Sequence, residues 1–520
     1  MVLKKISKER LEAEDVLKYI KDYLAKEVPK LDDLWEYYKG KNVKILNRKT
    51  PDPNNPDEKI TVSYARKLVN TYTGYAFRPG YITYKANKAK KEKKKDDKIE
   101  LDIEKVSEED LFLNEITDIF DINDEPIKTN RHGRNLGIFG LSYELFYIDS
   151  ETEVKEGNIL YKNTIRFFVV DPREMIVLYD FSPEPKLKIG IRFYKLDNDD
   201  EYKVEVYYKD IIDTFKIFKD NNYEWKIEID ELGKMNVIKE IPIIAFYQGD
   251  EIQSIFENVL RLIDAYDVLF SDSMNEFDRF AFAYLIMKKF GLTNPLDKKD
   301  PTKLNWALKL LKRRRVFENI PGDGDIKFLT KDIPTSFIEH IGKQLRDQIH
   351  IQSHVPDFTS EKMTGASGIA ILRLMFDFEN LVSSTDADFD TGLYKRINII
   401  ANYLKLKGEN ENYHSKMIII NHKRNIPLNA QDFAQAALVM QHAGFSRKAI
   451  IGIMPEDIIP DPEEELKLEM EEREMMIGDS NLFDENTISE EQQQAIQAIN
   501  DLINDGYTEE AAKEEILGNK

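Results

Sequence analysis

His350 and His354 have a spacing that can bind a metal ion, because side chains at i and i+4 share one face of a helix. No glutamate completes an HExxH motif, and the sequence identifies no third ligand, so both are expected to be ordinary helix residues. The segment that begins at Asp501 imitates a calcium-binding loop, but Ile503 stands where an oxygen ligand is required and Ala512 replaces the bidentate glutamate. We therefore expect neither a metal site nor a cofactor.

Catalytic motifs are absent from the 520 residues. There is no GxxxxGK[ST] loop for a nucleoside triphosphate, no GxGxxG motif after a strand and no GxSxG nucleophile turn. The chain contains no cysteine, which excludes disulfides, thiolate metal sites and a cysteine nucleophile. We expect a protein that is not an enzyme, and any process that it serves must draw its power from a partner.

The strongest basic motif consists of four successive residues, Lys312, Arg313, Arg314 and Arg315. They cannot all face one way on a helix, so some must contact a partner subunit, nucleic acid or water. The alternative is a solvated helix end, where cations complement the helix dipole. The seven lysines of Lys88–Lys98 are diluted by acidic residues and lack aromatic neighbours, which favours a solvated loop over a nucleic-acid site.

Most of the net charge of −20 belongs to the C-terminal segment. Glu456–Lys520 holds 21 acidic and four basic residues, whereas the rest of the chain holds 74 acidic and 71 basic residues. A protein that grips DNA tightly needs a basic face. The nearly neutral body therefore suits weak, sliding contact with a polyanion better than tight binding.

The elements that must position these residues follow from periodicity and define an α+β protein. Helical spacing predicts helices within 8–40, 61–77 and 110–140, and alternation between 141 and 247 predicts an antiparallel β meander. Apolar residues then recur every three or four positions across Ile252–Leu285, which predicts one helix of roughly 50 Å. So long a helix needs neighbours to bury its apolar face, and a ring of identical subunits would provide them.

A smaller α/β segment and two further helices follow. The pattern predicts a strand at Ile326–Leu329, a helix from Pro334 to about His354, and a helix from Ser367 to about Leu406. Between those helices, Pro356–Ser367 is a loop of small and polar residues. It is either a functional loop on a rigid scaffold or an ordinary interhelical turn.

This order of elements resembles the portal proteins of long-tailed bacteriophages. Ile241–Phe246 followed by Glu257–Asp267 is similar to the family's entry into its stem, and Ser271-Asp272 continues that helix. Thr364–Ala370 is similar to the exit from the family's tunnel loop. Asn70–Tyr84 and Gly140–Tyr147 resemble segments of its wing, and the resemblance extends over residues 30–475.

The resemblance implies a phage portal fold with a β-rich wing, a long-helix stem, a small α/β clip and a helical crown. Its divisions would be a wing at 1–250, stem helices at 251–290 and 334–355, a clip at 291–333, a tunnel loop at 356–367, a wing return at 368–430, and a crown with an acidic tail at 431–520.

The resemblance also implies a function and partners. Portal proteins form rings of about twelve subunits at one capsid vertex. Double-stranded DNA passes through the channel, and the terminase large subunit, head-completion or adaptor proteins, and the major capsid and scaffolding proteins bind the ring. The protein would assemble in the host cytoplasm and reside in the virion, with no membrane partner. The alternatives are a non-viral structural adaptor with a long-helix oligomerisation surface and a nucleic-acid-processing enzyme without a known signature.

The implied site residues fall in two groups. Lys312–Arg315 would contact DNA, the terminase or an adaptor at the clip. Lys362 would be the phosphate contact of the tunnel loop, and Glu361 would keep that contact weak. The full set of expected tunnel-loop residues is Phe358, Thr359, Ser360, Glu361, Lys362, Met363, Thr364 and Gly365.

Overall fold

The chain divides into two compact units, Met1–Ile426 and Pro427–Lys520. The computed structural model describes residues 4–49, 56–88, 107–155, 158–195, 201–249, 251–280, 284–288, 325–329, 335–360, 363, 368–424, 430–452, 454, 459 and 465–471.

Helices supply the N-terminal part of the first unit, as predicted. They are α1 Ala13–Lys26, α2 Val28–Tyr38, α3 Val43–Leu46, α4 Tyr64–Ala76, α5 Glu108–Ile122 and α6 Glu125–Phe139. In α1 the buried residues Val16, Ile20 and Tyr23 lie on one face, which explains the helical spacing in the sequence. Ser107 caps α5 by accepting a hydrogen bond from the backbone N–H of Asp110.

Antiparallel sheets complete the first unit. The strands are β1 Ile82–Ala86, β2 Leu141–Lys155, β3 Asn158–Val170, β4 Met175–Tyr179, β5 Leu187–Lys195, β6 Tyr202–Tyr207, β7 Ile211–Lys219, β8 Trp225–Met235, β9 Ile243–Tyr247, β10 Tyr284–Lys288, β11 Asp325–Leu329 and β12 Ile418–His422. Strands β4 to β8 form one sheet in sequence order, and β3-β2-β9 form a second. The predicted meander is confirmed, although β4 and β8 are not among the predicted strands. Two-stranded sheets join β1 to β12 and β10 to β11.

The later helices of the first unit are α7 Leu260–Phe280, α8 Thr335–Gln352, α9 Gly368–Leu374 and α10 Phe376–Lys407. The helix predicted before His354 is confirmed as α8. The single helix predicted between Ser367 and Leu406 is interrupted at Met375, where α9 ends and α10 begins.

The prediction of one helix across Ile252–Leu285 is wrong. The regular helix α7 has 21 residues, which corresponds to about 32 Å. A turn with Ile252 at a φ of 51° and a short 3₁₀ segment at Glu257–Val259 precede it. Leu285 lies in strand β10. Ile252, Ile255 and Val259 are buried without being part of an α-helix, so their spacing reports burial in the core and not α-helical conformation.

The core of the first unit packs α6 and α10 against β2 and β9. Gly392 on α10 permits this close approach, because a Cβ at that position would overlap the ring of Phe246 in β9. Phe246 and Phe389 pack ring against ring beside it, with centroids 4.7 Å apart.

The second unit contains α11 Ala430–His442 and α12 Arg447–Gly452. Gly444, with a φ of 82°, lies in the turn between them. No helix in the described part of the chain combines the length and low polarity that crossing a lipid bilayer requires.

Candidate channel loop and assembly surface

Helices α7 and α8 pack against each other, and α7 presents an apolar stripe that the described residues of the first unit leave partly exposed. Phe270, Met274 and Phe277 follow each other at i, i+4 and i+7, and all three are exposed. Phe277 is 66% exposed. We call these three residues the exposed stripe.

A groove of about 430 Å³ runs between the two helices beside this stripe. Phe270 and Met274 line one side, and Ile338 and Gly342 line the other. Lys343 and Arg346 place two cations on the groove wall. The groove can therefore accept an apolar side chain from outside, with charged groups at its margin.

A second face of α7, about 90° around the helix from the exposed stripe, is polar and buried, which the sequence pattern did not predict. Asp267, Ser271 and Asn275 bind the backbone of Glu58–Val62, a segment that we call the strap. Asn275 Oδ1 accepts from the N–H of Glu58 at 2.7 Å, Ser271 Oγ from that of Ile60 at 3.0 Å, and Asp267 Oδ1 from that of Val62 at 2.8 Å.

The strap fits α7 because the spacing of every fourth residue along the helix matches the spacing of every second residue along the extended strap. Four helical residues advance about 6 Å and two extended residues advance about 6.7 Å. Burial raises the pKa of Asp267, while the hydrogen bonds from the Val62 N–H and the Asn42 side chain act in the opposite direction. The polar face of α7 is thus committed to the strap, and its apolar face is left outward.

The segment Ser353–Asp357, which we call the loop root, connects α8 to the predicted tunnel loop. His354 takes a left-handed conformation with a φ of 57°, which ends the helix, and Pro356 prevents its resumption. Val355 is fully buried, and its carbonyl accepts a hydrogen bond from His350 Nδ1 at 2.9 Å. The chain therefore leaves α8 in a fixed direction.

Asp357 is the charged centre of the loop root. Its Oδ1 accepts hydrogen bonds from Lys67 Nζ of α4 at 2.8 Å, from Thr359 Oγ1 at 2.6 Å and from the Thr359 N–H at 3.1 Å. Its Oδ2 lies 4.0 Å from Arg346 Nε and 3.8 Å from His350 Nε2. Burial opposes ionisation, but the hydrogen bonds from Lys67 and Thr359 hold the pKa of Asp357 well below its usual range.

The predicted tunnel-loop residues divide between solvent and core. Phe358 is 38% exposed, Thr359 is exposed and Ser360 is half-buried. Met363 packs against the hydrophobic core. Glu361, Lys362, Thr364 and Gly365 lie outside the described residues, as do all four basic residues of Lys312–Arg315.

The two histidines with metal-ligand spacing do not form a shared helical face. Helix α8 ends at Gln352, so His354 lies beyond it with a left-handed backbone, while the ring of His350 is turned towards Val355. Among the described residues, no three His, Cys, Asp or Glu side chains come together as a metal site would require.

A buried charged cluster escaped the sequence analysis, because its four members are scattered along the chain. It consists of Glu125, His132, Glu144 and Arg396, and the Arg396 side chain is 0% exposed. All three guanidinium nitrogens donate: Nε and Nη2 to Glu144 at 2.9 and 2.7 Å, and Nη1 to Glu125 at 2.7 Å. Although burial opposes it, the charge of Arg396 lowers the pKa of Glu144.

Part of this cluster has the order of a hydrolase triad. His132 Nδ1 lies 2.8 Å from Ser142 Oγ, and its Nε2 lies 3.0 Å from Glu144 Oε2. Because the carboxylate only accepts, Nε2 carries the proton and the serine hydroxyl donates to Nδ1. All three side chains are fully buried, so no substrate reaches the hydroxyl and the cluster is structural.

Comparison with known proteins places these features in a family context. The family described as "Phage portal protein, SPP1 Gp6-like" matches residues 17–479. The portal protein of Bacillus phage SPP1 is 22% identical over 391 residues, which cover 72% of each chain. Solved structures that match include the neck of an empty GTA particle computed with C6 symmetry and the neck of a native GTA particle computed with C12 symmetry.

These structural likenesses are distant. The first has 12% identity and a TM-score of 0.36, with 64% of this chain and 79% of the other covered. The second has 11% identity and a TM-score of 0.37, with 74% and 91% covered. Scores this low establish no common architecture.

Proposed function

The chain belongs to the SPP1 Gp6-like family of phage portal proteins, and on that premise we propose that it assembles into a closed ring around a DNA channel. The family match confirms the resemblance predicted from residues 30–475. Portal proteins are structural components and not enzymes, in agreement with the prediction of no catalytic site. Their place is the portal vertex, where the head of the virion meets the tail.

The observation that carries the ring is the exposed stripe on α7. Three large apolar residues at helical spacing are costly to leave in water, at about 25 cal/mol for each Å² of apolar surface. The polar face of the same helix is already occupied by the strap, so α7 cannot rotate to hide the stripe within its own subunit. A neighbouring copy that inserts apolar side chains into the α7–α8 groove would bury it.

A ring contact of this kind is heterologous, because the surface that receives differs from the surface that inserts. Successive copies then close if the rotation between them divides a full turn. We propose closure at about twelve copies, with 356–367 facing the channel and 291–333 forming the outward clip that binds the terminase and the head-completion proteins.

The near neutrality of residues 1–455 favours a channel through which DNA slides, and not a protein that binds DNA tightly. Each phosphate that a protein neutralises strengthens binding and its salt dependence, and tight pairing would stall sliding. Membership in a phage family argues against the alternative of a non-viral adaptor.

The assembly state of the full chain tests the proposal. Native mass spectrometry and electron microscopy are expected to find closed rings with a central hole. Phe277→Asp introduces a charge into the exposed stripe and should leave subunits or small oligomers. Phe181→Asp is the matched control, because Phe181 is 67% exposed in the loop between β4 and β5. This substitution should leave rings intact. Monomeric wild-type protein would contradict the ring.

Duplex DNA binding by assembled rings tests the conduit separately. We expect weak affinity with a shallow salt dependence. Submicromolar affinity that falls steeply with added salt would instead indicate a clamp.

A further inference from the structure

The loop root contains a charged residue that touches two different helices. Asp357 accepts a hydrogen bond from Lys67 on α4 and faces Arg346 on α8, while its own backbone begins the predicted tunnel loop. Its side chain is only 10% exposed. The residue whose side chain contacts α4 and α8 therefore also lies in the first turn of the loop.

The contacts to the loop are local and directional. Oδ1 of Asp357 accepts from both the N–H and the hydroxyl of Thr359, and the Asp357 carbonyl accepts from the N–H of Ser360 at 3.1 Å. An aspartate in this arrangement fixes the backbone turn that follows it. The direction of Phe358 and Thr359, which are exposed, thus depends on where the Asp357 carboxylate is held.

The two carboxylate oxygens are held unequally. Oδ1 accepts three hydrogen bonds, whereas Oδ2 faces Arg346 Nε at 4.0 Å, and that nitrogen is buried without a hydrogen-bond partner among the described residues. His350 Nε2, at 3.8 Å, is also buried and makes no hydrogen bond to a described residue. Since His350 Nδ1 donates to the Val355 carbonyl, Nε2 of the neutral ring carries no proton to offer. Arg346 is the donor that Oδ2 can reach by a small displacement.

We propose that Asp357 is a positioning residue of the channel loop, whose carboxylate bonds the loop root to Lys67 of α4, faces Arg346 of α8, and thereby sets the direction in which Phe358 and Thr359 leave the body. This inference rests on the proposed channel function, since it assigns a role to the loop at 356–367. The alternative is a purely stabilising ion pair, in which the charge matters to folding and not to the loop.

Hydrogen exchange of assembled wild-type and variant rings separates these roles. Asp357→Asn keeps the shape but weakens both the pairing with Lys67 and the bonds to Thr359. We expect the amides of Thr359 and Ser360 to exchange about tenfold faster, with protection of α8 and ring formation unchanged. Asp357→Glu retains the charge and should restore part of the protection. Asp347→Asn is the control, because Asp347 is an exposed acid on α8, the helix that precedes the loop root.

DNA packaging into capsids with the phage's own motor provides the second readout. Asp357→Asn rings should package DNA more slowly than Asp347→Asn rings of equal thermal stability. The proposal is overturned if Thr359 and Ser360 exchange at the wild-type rate in Asp357→Asn, or if packaging falls only in proportion to ring yield. If Asp357→Asn does not assemble, Lys67→Met removes the α4 donor alone, and unchanged exchange at Thr359 would then overturn it.

These outcomes are distinguishable from failure of the channel itself. Wild-type rings that neither close nor pass DNA contradict the proposed function. Wild-type rings that package normally while Asp357→Asn matches Asp347→Asn contradict only the positioning role.

Discussion

Two charged groups of the first unit, one around Arg396 and one around Asp357, are built in opposite ways. The guanidinium of Arg396 is sealed in the core, with every nitrogen bonded. The carboxylate of Asp357 lies in the loop root beyond α8 and is 10% exposed, with one oxygen bonded and the other facing a donor that makes no hydrogen bond to a described residue. A fully satisfied buried network has one arrangement and fixes the structure around it. The carboxylate of Asp357 instead fixes one turn at the loop root, next to exposed residues whose direction it can set.

The two groups also differ in whether their side chains can be reached from solvent. His132, Ser142 and Glu144 have the order of a catalytic triad but no access to solvent, so geometry alone assigns them no activity. The loop root has no catalytic geometry, yet it controls exposed residues. In this chain accessibility decides which charged group can act.

The largest expected effect comes from breaking the sealed cluster. Arg396→Met leaves the carboxylates of Glu125 and Glu144 buried without their cation, which should cost about 3–5 kcal/mol. Chemical denaturation should give a much lower midpoint, or little folded protein. Arg134→Met, which removes an exposed arginine from α6, should change stability by less than about 0.5 kcal/mol. Equal effects of the two substitutions would refute the distinction.

The next largest effect is expected at Gly392, which lets α10 bring Arg396 close to the sheet. Gly392 lies one turn before Arg396 on α10, and its lack of a side chain lets the helix approach Phe246. Gly392→Ala should cost about 1–3 kcal/mol through overpacking. Gly74→Ala on α4, where a Cβ meets nothing within 4 Å, should instead stabilise by up to about 1 kcal/mol. The signs of the two shifts in melting temperature provide the check.

A pH effect compares the histidines of the two regions. Burial lowers the pKa of His132 and of His350, so the unfolded chain takes up protons first as the pH falls below about 6.5. Stability should therefore fall with pH in that window, by up to about 1.4 kcal/mol per pH unit for each histidine. His132→Gln should flatten this slope more than His350→Gln, because His132 is completely buried and His350 retains slight exposure. A slope unchanged in His132→Gln would contradict the assignment.

The smallest stability effect is expected at the loop root. Asp357→Asn should lower the free energy of unfolding by less than Arg396→Met does, because Lys67, the partner of Asp357, is 37% exposed and solvent screens part of that pairing. Denaturation midpoints of Asp357→Asn and Arg396→Met, measured side by side, test the comparison directly. If Asp357→Asn lowered the free energy of unfolding as much as Arg396→Met does, both groups would serve mainly to stabilise the fold.

Much of the secondary structure followed from local patterns. The helices within 8–40 and 61–77 and most strands of the meander were predicted, because their side chains alternate between core and solvent. Strand β4 was missed because all five of its residues are buried, and β8 because nearly all of its residues are exposed. Neither strand shows the alternation on which such predictions depend.

The helix predicted across Ile252–Leu285 failed for a related reason. The spacing of apolar residues records which residues are buried, and a turn, a 3₁₀ segment, a helix and a strand in succession imitated one long period. The stripe on α7 was read correctly as apolar. Only the tertiary structure shows that part of this stripe is exposed, while Asp267, Ser271 and Asn275 on an adjacent face of α7 are buried against the strap.

The sequence by itself determined the α+β class, the absence of recognisable catalytic motifs, the acidic C-terminal segment and the family resemblance. Each of these depends on residue types, local spacing or element order, which are properties of the linear chain. The tertiary structure decided the rest. Arg396 meets Glu144 across 252 positions, and Lys67 meets Asp357 across 290. Charged partners so distant in sequence carry no local signal, because only folding brings them within hydrogen-bond distance.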